Sequence, residues 1–191
     1  MQDHRGLQDR AEIPRHLMSY KSELTDAMTA LAADPRTRFV GYGLERGRAG
    51  GTLMGAQQSQ ITETPVAENM MTGIAVGQSL AGLLPLVYFE RFDFALNAAD
   101  CIVNHLAAAY EISRGQFKPA VILRCVVGNG TKPLFTGRTH TQNFTRAFRE
   151  MVDFPVVEIR RDSAVAACYE SARAHQLRGE STMLIEFKDL L

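Results

Sequence analysis

A doubly wound α/β fold, with a mainly parallel sheet and helices on both faces, is what this sequence predicts. Strand-length apolar runs at 84–89, 119–127 and 182–187 are separated by helix-length stretches, and that alternation implies parallel pairing through right-handed crossovers. The run 119–127 is apolar almost throughout, which suits a strand covered on both sides.

The elements follow in order. Leu24, Ala27, Met28 and Leu31 keep helical spacing from Ser22 onward, Glu23 and Asp26 lie in the first turn, and Asp34-Pro35 ends the helix. A short strand covers 38–42. The stretch 43–61, rich in Gly, Gln and Ser and without periodicity, reads as a long loop of the kind reserved for binding. Helical character runs from 67 to 80 and stops at Gly82 before the strand 84–89. A longer helix is expected over 93–113, with Ala95, Ala98, Ala99, Ile102, Leu106 and Ala109 inward. Three glycines and a proline make 128–139 irregular, and 140–151 returns to helix. A strand at 156–159, a helix at 163–175 and the strand 182–187 complete the pattern. Residues 1–18 are polar and aperiodic and read as an arm, leaving 19–191 as one domain.

Composition narrows the function. The 191 residues are 46% hydrophobic and 22% charged, enough for one domain to bury a core. The 21 basic and 21 acidic residues cancel and no block of like charge occurs, so nucleic acid and anionic membranes are not expected partners. Cys101, Cys125 and Cys168 are widely spaced and odd in number, which suits reduced, buried thiols. No basic segment with an apolar stretch opens the chain, and no run approaches the roughly twenty apolar residues of a membrane span, so the expected location is cytoplasmic.

In a sheet of this class ligands bind beyond the carboxyl ends of the strands. The segment before Glu68, the segment after Phe89 and the loop before His140 all follow strands and are expected to meet there. Glu68 is the one carboxylate in the small and apolar stretch 65–77, and burying it carries a solvation cost that folding does not require. Phe89, Phe92 and Phe94 either stack on a planar ligand or fill the core. His140 is either an acid or base at the pocket mouth or a helix-start residue. Gly73, Gly77 and Ala81 recur every four residues, which allows close approach either within the fold or by another subunit. The remaining histidines have no ligand spacing, so no protein-built metal site is expected. Neither a nucleotide-type glycine loop nor a nucleophile elbow occurs.

Taken together, the stretches Ile61-Thr62-Glu63-Thr64-Pro65-Val66-Ala67-Glu68, Gly73-Ile74-Ala75-Val76-Gly77, Ala81-Gly82-Leu83, Phe92-Asp93-Phe94, Asp100-Cys101-Ile102-Val103-Asn104 and His140-Thr141-Gln142 resemble the pyrimidine-binding domain of thiamine diphosphate enzymes. The likeness is to the beta subunit of 2-oxoacid dehydrogenase first components and to the middle domain of transketolase. It implies that the Glu68 carboxyl bonds a ring nitrogen of the cofactor's aminopyrimidine and drives its imino tautomer. It also implies that Phe89 and Phe92 hold that ring and that His140 lines the substrate pocket.

The chain departs from the family in lacking an acidic pair after Gly41, a region matching the C-terminal domain, and the Gly-Asp-Gly motif with its downstream Asn that binds magnesium and the diphosphate. The resemblance therefore implies a separate alpha-like chain holding the diphosphate and Mg2+, in an α2β2 assembly with cofactors at the interfaces. The implied reactions are 2-oxoacid decarboxylation with acyl transfer or ketol transfer between sugars; a non-catalytic scaffold of the same fold is the alternative of another class.

Overall fold

Ser19 caps the first helix by accepting the Ser22 amide on its side chain at 3.2 Å, which fixes that helix two residues earlier than its apolar spacing suggests. The computed structural model describes residues 19–132 and 137–191. The arm expected over 1–18 and part of the glycine-rich loop lie outside the described residues.

The helices are α1 (Tyr20–Ala32), α2 (Leu44–Gly47), α3 (Glu68–Leu80), α4 (Ala109–Ile112), α5 (Thr145–Met151) and α6 (Val165–Leu177). The strands are β1 (Thr37–Gly41), β2 (Ile61–Glu63), β3 (Leu84–Phe89), β4 (Ile122–Val127), β5 (Val156–Glu158) and β6 (Thr182–Phe187). They form one sheet in the order β2-β1-β3-β4-β6-β5, and every neighbouring pair is parallel. The doubly wound α/β architecture expected from the sequence is the one observed.

Side-chain alternation along the strands sends the two faces into two cores. Phe39, Leu86, Tyr88, Ile122, Val126 and Leu184 pack under α1 and α6. Val40, Val87, Phe89, Leu123, Cys125 and Ile185 pack under α3 and α5, with Met71, Ala75 and Phe148 among their neighbours.

Three expectations are corrected. The stretch 43–61 is not all loop: it holds α2 and a 3-10 turn at Gln58–Gln60, and its last residue begins β2, whose three residues are too short to show a period. The segment 93–113 is not one helix but a 3-10 stretch (Phe92–Ala98), a π stretch (Cys101–Ala107) and α4. Its inner face is nearly as expected, since Ala95, Ala98, Ile102, Leu106 and Ala109 are buried, while the changing winding leaves Ala99 half-exposed. Helix 140–151 begins only at Thr145, because the Asn143 side chain accepts both the amide and the hydroxyl of Thr145. Gly82, at φ +83°, ends α3 as the sequence suggests, in a left-handed conformation that other residues adopt at a cost.

Candidate functional site

Glu68 is the first residue of α3, just beyond the carboxyl end of β2, and it is 6% exposed. Among the described residues one side chain reaches the carboxylate: Asn97 Nδ2 donates to Glu68 Oε2 at 3.4 Å. A carboxylate offers about four acceptor sites, and neither Glu68 oxygen is among the buried polar atoms left without a partner, so the sites that no side chain fills open outward, where a ligand can reach them.

Asn97 belongs to the 3-10 stretch that follows β3, and Phe94 stands one turn before it. Phe94 is half-buried and meets the His140 ring edge-on, with centroids 5.1 Å apart and planes at 86°. His140 Nδ1 lies 3.1 Å from the Thr139 hydroxyl. The loop bearing His140 is pinned twice. Asp93 Oδ1 accepts Gln142 Nε2 at 3.0 Å, and the His140 carbonyl oxygen lies 1.9 Å from where a Cβ on Gly128 would stand, so only glycine allows that approach at the end of β4.

The structure thus links the segments after β2, β3 and β4 at one edge: Glu68 to Asn97 within the 3-10 stretch, and that stretch, through Phe94 and Asp93, to His140 and Gln142. It does not place Phe89 and Phe92 there. Both are core side chains: Phe92 is 0% exposed, stacks on Phe148 at 5.5 Å and meets Phe144 edge-on at 6.0 Å. Phe89 ends a strand whose side chain points into the α3 core. Of the three phenylalanines, Phe94 is the one not buried in the core.

The small-residue stripe is not consumed within the fold. Gly73, Gly77 and Ala81 are exposed, nothing lies within 4 Å of a Cβ built at Gly77, and Val66, Met70 and Leu80 are exposed on or beside the same helix. Among the described residues no three His, Cys, Asp or Glu side chains gather as ligands for a metal, and no helix is long and apolar enough to cross a membrane. The three cysteines are unpaired, with Cys101 and Cys125 buried.

Sequence reasoning missed Asn97, which carries no motif, and a second group of buried charges on the other face. Arg124 of β4 holds Glu186 of β6 through Nε and Nη2 at 2.9 and 3.0 Å, and the Tyr169 hydroxyl donates to the same carboxylate. Arg124 pairs in register with Leu184, so Glu186, two residues on, shares its face. Each is the only charge in an apolar strand, and that was the available signal.

Comparison with known proteins gives a consistent picture. Residues 17–190 match the family described as transketolase, pyrimidine binding domain. The beta subunit of the pyruvate dehydrogenase E1 component from Rickettsia conorii is 35% identical over 98 residues, covering 51% of this chain and 29% of that protein. The mitochondrial counterpart from Saccharomyces cerevisiae is 34% identical over 88 residues, covering 46% of this chain and 23% of that one. The chain therefore spans less than a third of the length of these curated relatives. Among solved structures, a split gene transketolase described as an inactive beta4 tetramer superposes with a TM-score of 0.68 at 15% identity, over 88% of this chain and 51% of that one, a likeness of fold.

Proposed function

Since the chain belongs to the transketolase pyrimidine-binding domain family, we propose that it is the pyrimidine-binding chain of a thiamine diphosphate enzyme that decarboxylates a 2-oxoacid and passes on the acyl unit. The observation that carries this reading is Glu68, buried in an apolar setting with one 3.4 Å hydrogen bond to its carboxylate. The residues present fit the aminopyrimidine half of the cofactor: Glu68 has carboxyl oxygens not taken by other side chains, able to share a proton with a ring nitrogen, and Phe94, in the 3-10 stretch that reaches Glu68 through Asn97, offers an aromatic ring at the same edge.

The cofactor supplies the stabilised carbanion when bound. The chain's own part is proton placement and orientation. Glu68, at the start of α3 with one side-chain partner, is placed to share a proton with a ring nitrogen of the bound heterocycle. Asn97 steadies the carboxylate from the solvent side. His140, held edge-on to Phe94, stands at the mouth as the acid or base facing the substrate.

The diphosphate and Mg2+ are assigned to a second, alpha-like chain, in an α2β2 assembly. Support comes from the open stripe of Gly73, Gly77 and Ala81, a face that admits close approach by another helix. The identity to pyruvate dehydrogenase beta subunits favours 2-oxoacids over sugar phosphates as substrates.

The test is to combine the chain with a candidate diphosphate-binding chain and titrate thiamine diphosphate and Mg2+. Carbon dioxide release from pyruvate and branched 2-oxoacids is measured beside two-carbon transfer from ketose phosphates. Decarboxylation is expected, and Glu68→Gln is expected to preserve assembly while lowering turnover by about 10²- to 10⁴-fold. Undiminished turnover in Glu68→Gln overturns the assigned role. Ketol transfer without carbon dioxide moves the enzyme to the transketolase class, and failure of every assembly to bind cofactor replaces catalysis with a scaffold role.

A further inference from the structure

A second cavity, of about 490 Å³, opens at the carboxyl edge on the opposite face of the sheet from Glu68. It lies at the topological switch point. The chain leaves β1 toward the α1/α6 face, where Leu44, Ala49 and Leu53 pack, and leaves β3 toward the α3 face, where Phe92, Ala95 and Ala98 pack. Diverging connections open a crevice between adjacent strands, the usual ligand position in an open α/β sheet. The volume is within the range of small-molecule pockets, about 300 to 1,000 Å³.

The charges around this cavity do not balance. Its floor is the Arg124–Glu186 pair, internally neutral, with the remaining Arg124 nitrogen, Nη1, donating to the Thr52 hydroxyl at 2.9 Å. Arg91, buried at the end of β3, spends Nη1 on the main-chain oxygen of Glu90 and lies 3.3 Å from its carboxylate. Lys21 from α1, whose ammonium rests against Gly51, and Lys188 just past β6 also line the cavity, and neither forms an ion pair among the described residues. Among the described residues four cationic side chains thus line the cavity beside two side-chain carboxylates. Burial and then the nearby Arg91 guanidinium hold Lys188 below the ordinary lysine value, with the Glu90 carboxylate only partly offsetting them.

We propose that this cavity binds a small organic dianion, a phosphate monoester or a dicarboxylate, between the Lys21 and Lys188 ammonium groups above the Arg124–Glu186 floor. Two ammonium groups lining one cavity match two negative charges, and the floor, its donors already committed, leaves those two side chains as the selective contacts. The site is independent of the Glu68 chemistry, so its test needs no active enzyme.

The experiment is calorimetric titration of the full chain with inorganic phosphate, succinate and acetate at constant ionic strength. Saturable binding of phosphate or succinate is expected, with acetate at least tenfold weaker. Lys188→Met and Lys21→Met are each expected to weaken the dianion about tenfold, while Arg146→Met, on the distant and fully solvated side of α5, leaves it unchanged. A preference for phosphate over succinate identifies a phosphate monoester, and the reverse identifies a dicarboxylate. The proposal is overturned if neither dianion saturates the wild-type chain, or if both lysine variants bind as the wild type does. Lys21 lies on the exposed side of α1, so its variant keeps the test decisive should Lys188→Met fold poorly.

Discussion

Two glutamates are buried at the same edge of this sheet, one on each face, and their surroundings differ. Glu186 is 0% exposed, grasped through two nitrogens of Arg124 and bonded by Tyr169. Glu68, at 6% exposure, has a single 3.4 Å contact from a solvent-facing asparagine. Burying a carboxylate is costly unless its lone pairs are taken. A chain that meets this cost from its own side chains at Glu186 and leaves most of it to the surroundings of the site at Glu68 treats the first as part of its framework and holds the second for a group arriving from outside.

The sharpest way to break the comparison is to strand Glu186. Arg124→Met leaves a buried carboxylate without its cation and is expected to lower unfolding stability by about 3–5 kcal/mol. Adding Glu186→Leu to that variant should return most of the loss, because a buried pair replaced by apolar side chains of similar size is often neutral. Denaturant unfolding of the single and double variants measures both. A costless Arg124→Met would mean that Glu186 is no better satisfied than Glu68, and the contrast would vanish.

How legible this was in the sequence depends on the property asked of it. The alternation of apolar runs and helical stretches is a local signal, and it placed five of the six strands; β2, three residues long, has too few positions to show one. Helical spacing over 93–113 picked the buried side chains but not the winding, because 3-10, π and α turns bury similar positions. Phe89, Phe92 and Phe94 look alike in sequence, and only tertiary packing turns the first two inward. Glu68 was found because it is the lone acid in a small-residue stretch, but by that criterion Glu186 qualifies equally. What separates them is hydrogen bonding from residues 62 and 17 positions away, Arg124 and Tyr169, and this no local pattern carries.

A smaller effect sharpens the contrast from the alkaline side. Burial first, then the Glu186 charge, raises the Tyr20 and Tyr169 hydroxyls above the ordinary tyrosine value of 10.0, and burial pushes Tyr88 up to about 12. All three pack in the α1/α6 core, and the α3 core contains no tyrosine among its buried residues. Their folded values lie above the unfolded one, so the stability they contribute is complete below pH 10 and is lost as pH rises from about 10 toward their folded values. The slope is up to about 1.4 kcal/mol per pH unit for each tyrosine. Unfolding curves between pH 9 and 12 should show this decline, and Tyr88→Phe should make it shallower. A decline unaffected by Tyr88→Phe would detach alkaline sensitivity from the Glu186 face.

The smallest change in stability is expected where the proposed chemistry is greatest. Glu68→Gln removes a buried charge whose only hydrogen bond is long, and its amide can still accept from Asn97. The variant should therefore unfold within about 1 kcal/mol of the wild type, or be more stable, since it no longer buries an under-bonded carboxylate. The reason for expecting a gain is the one that makes Glu68 a candidate: sites held ready for a ligand carry strain that the fold does not itself relieve. Unfolding measured without cofactor decides it. A loss of 3 kcal/mol or more would show that Glu68, like Glu186, is bonded into the framework, and its availability to a heterocycle would have to be abandoned.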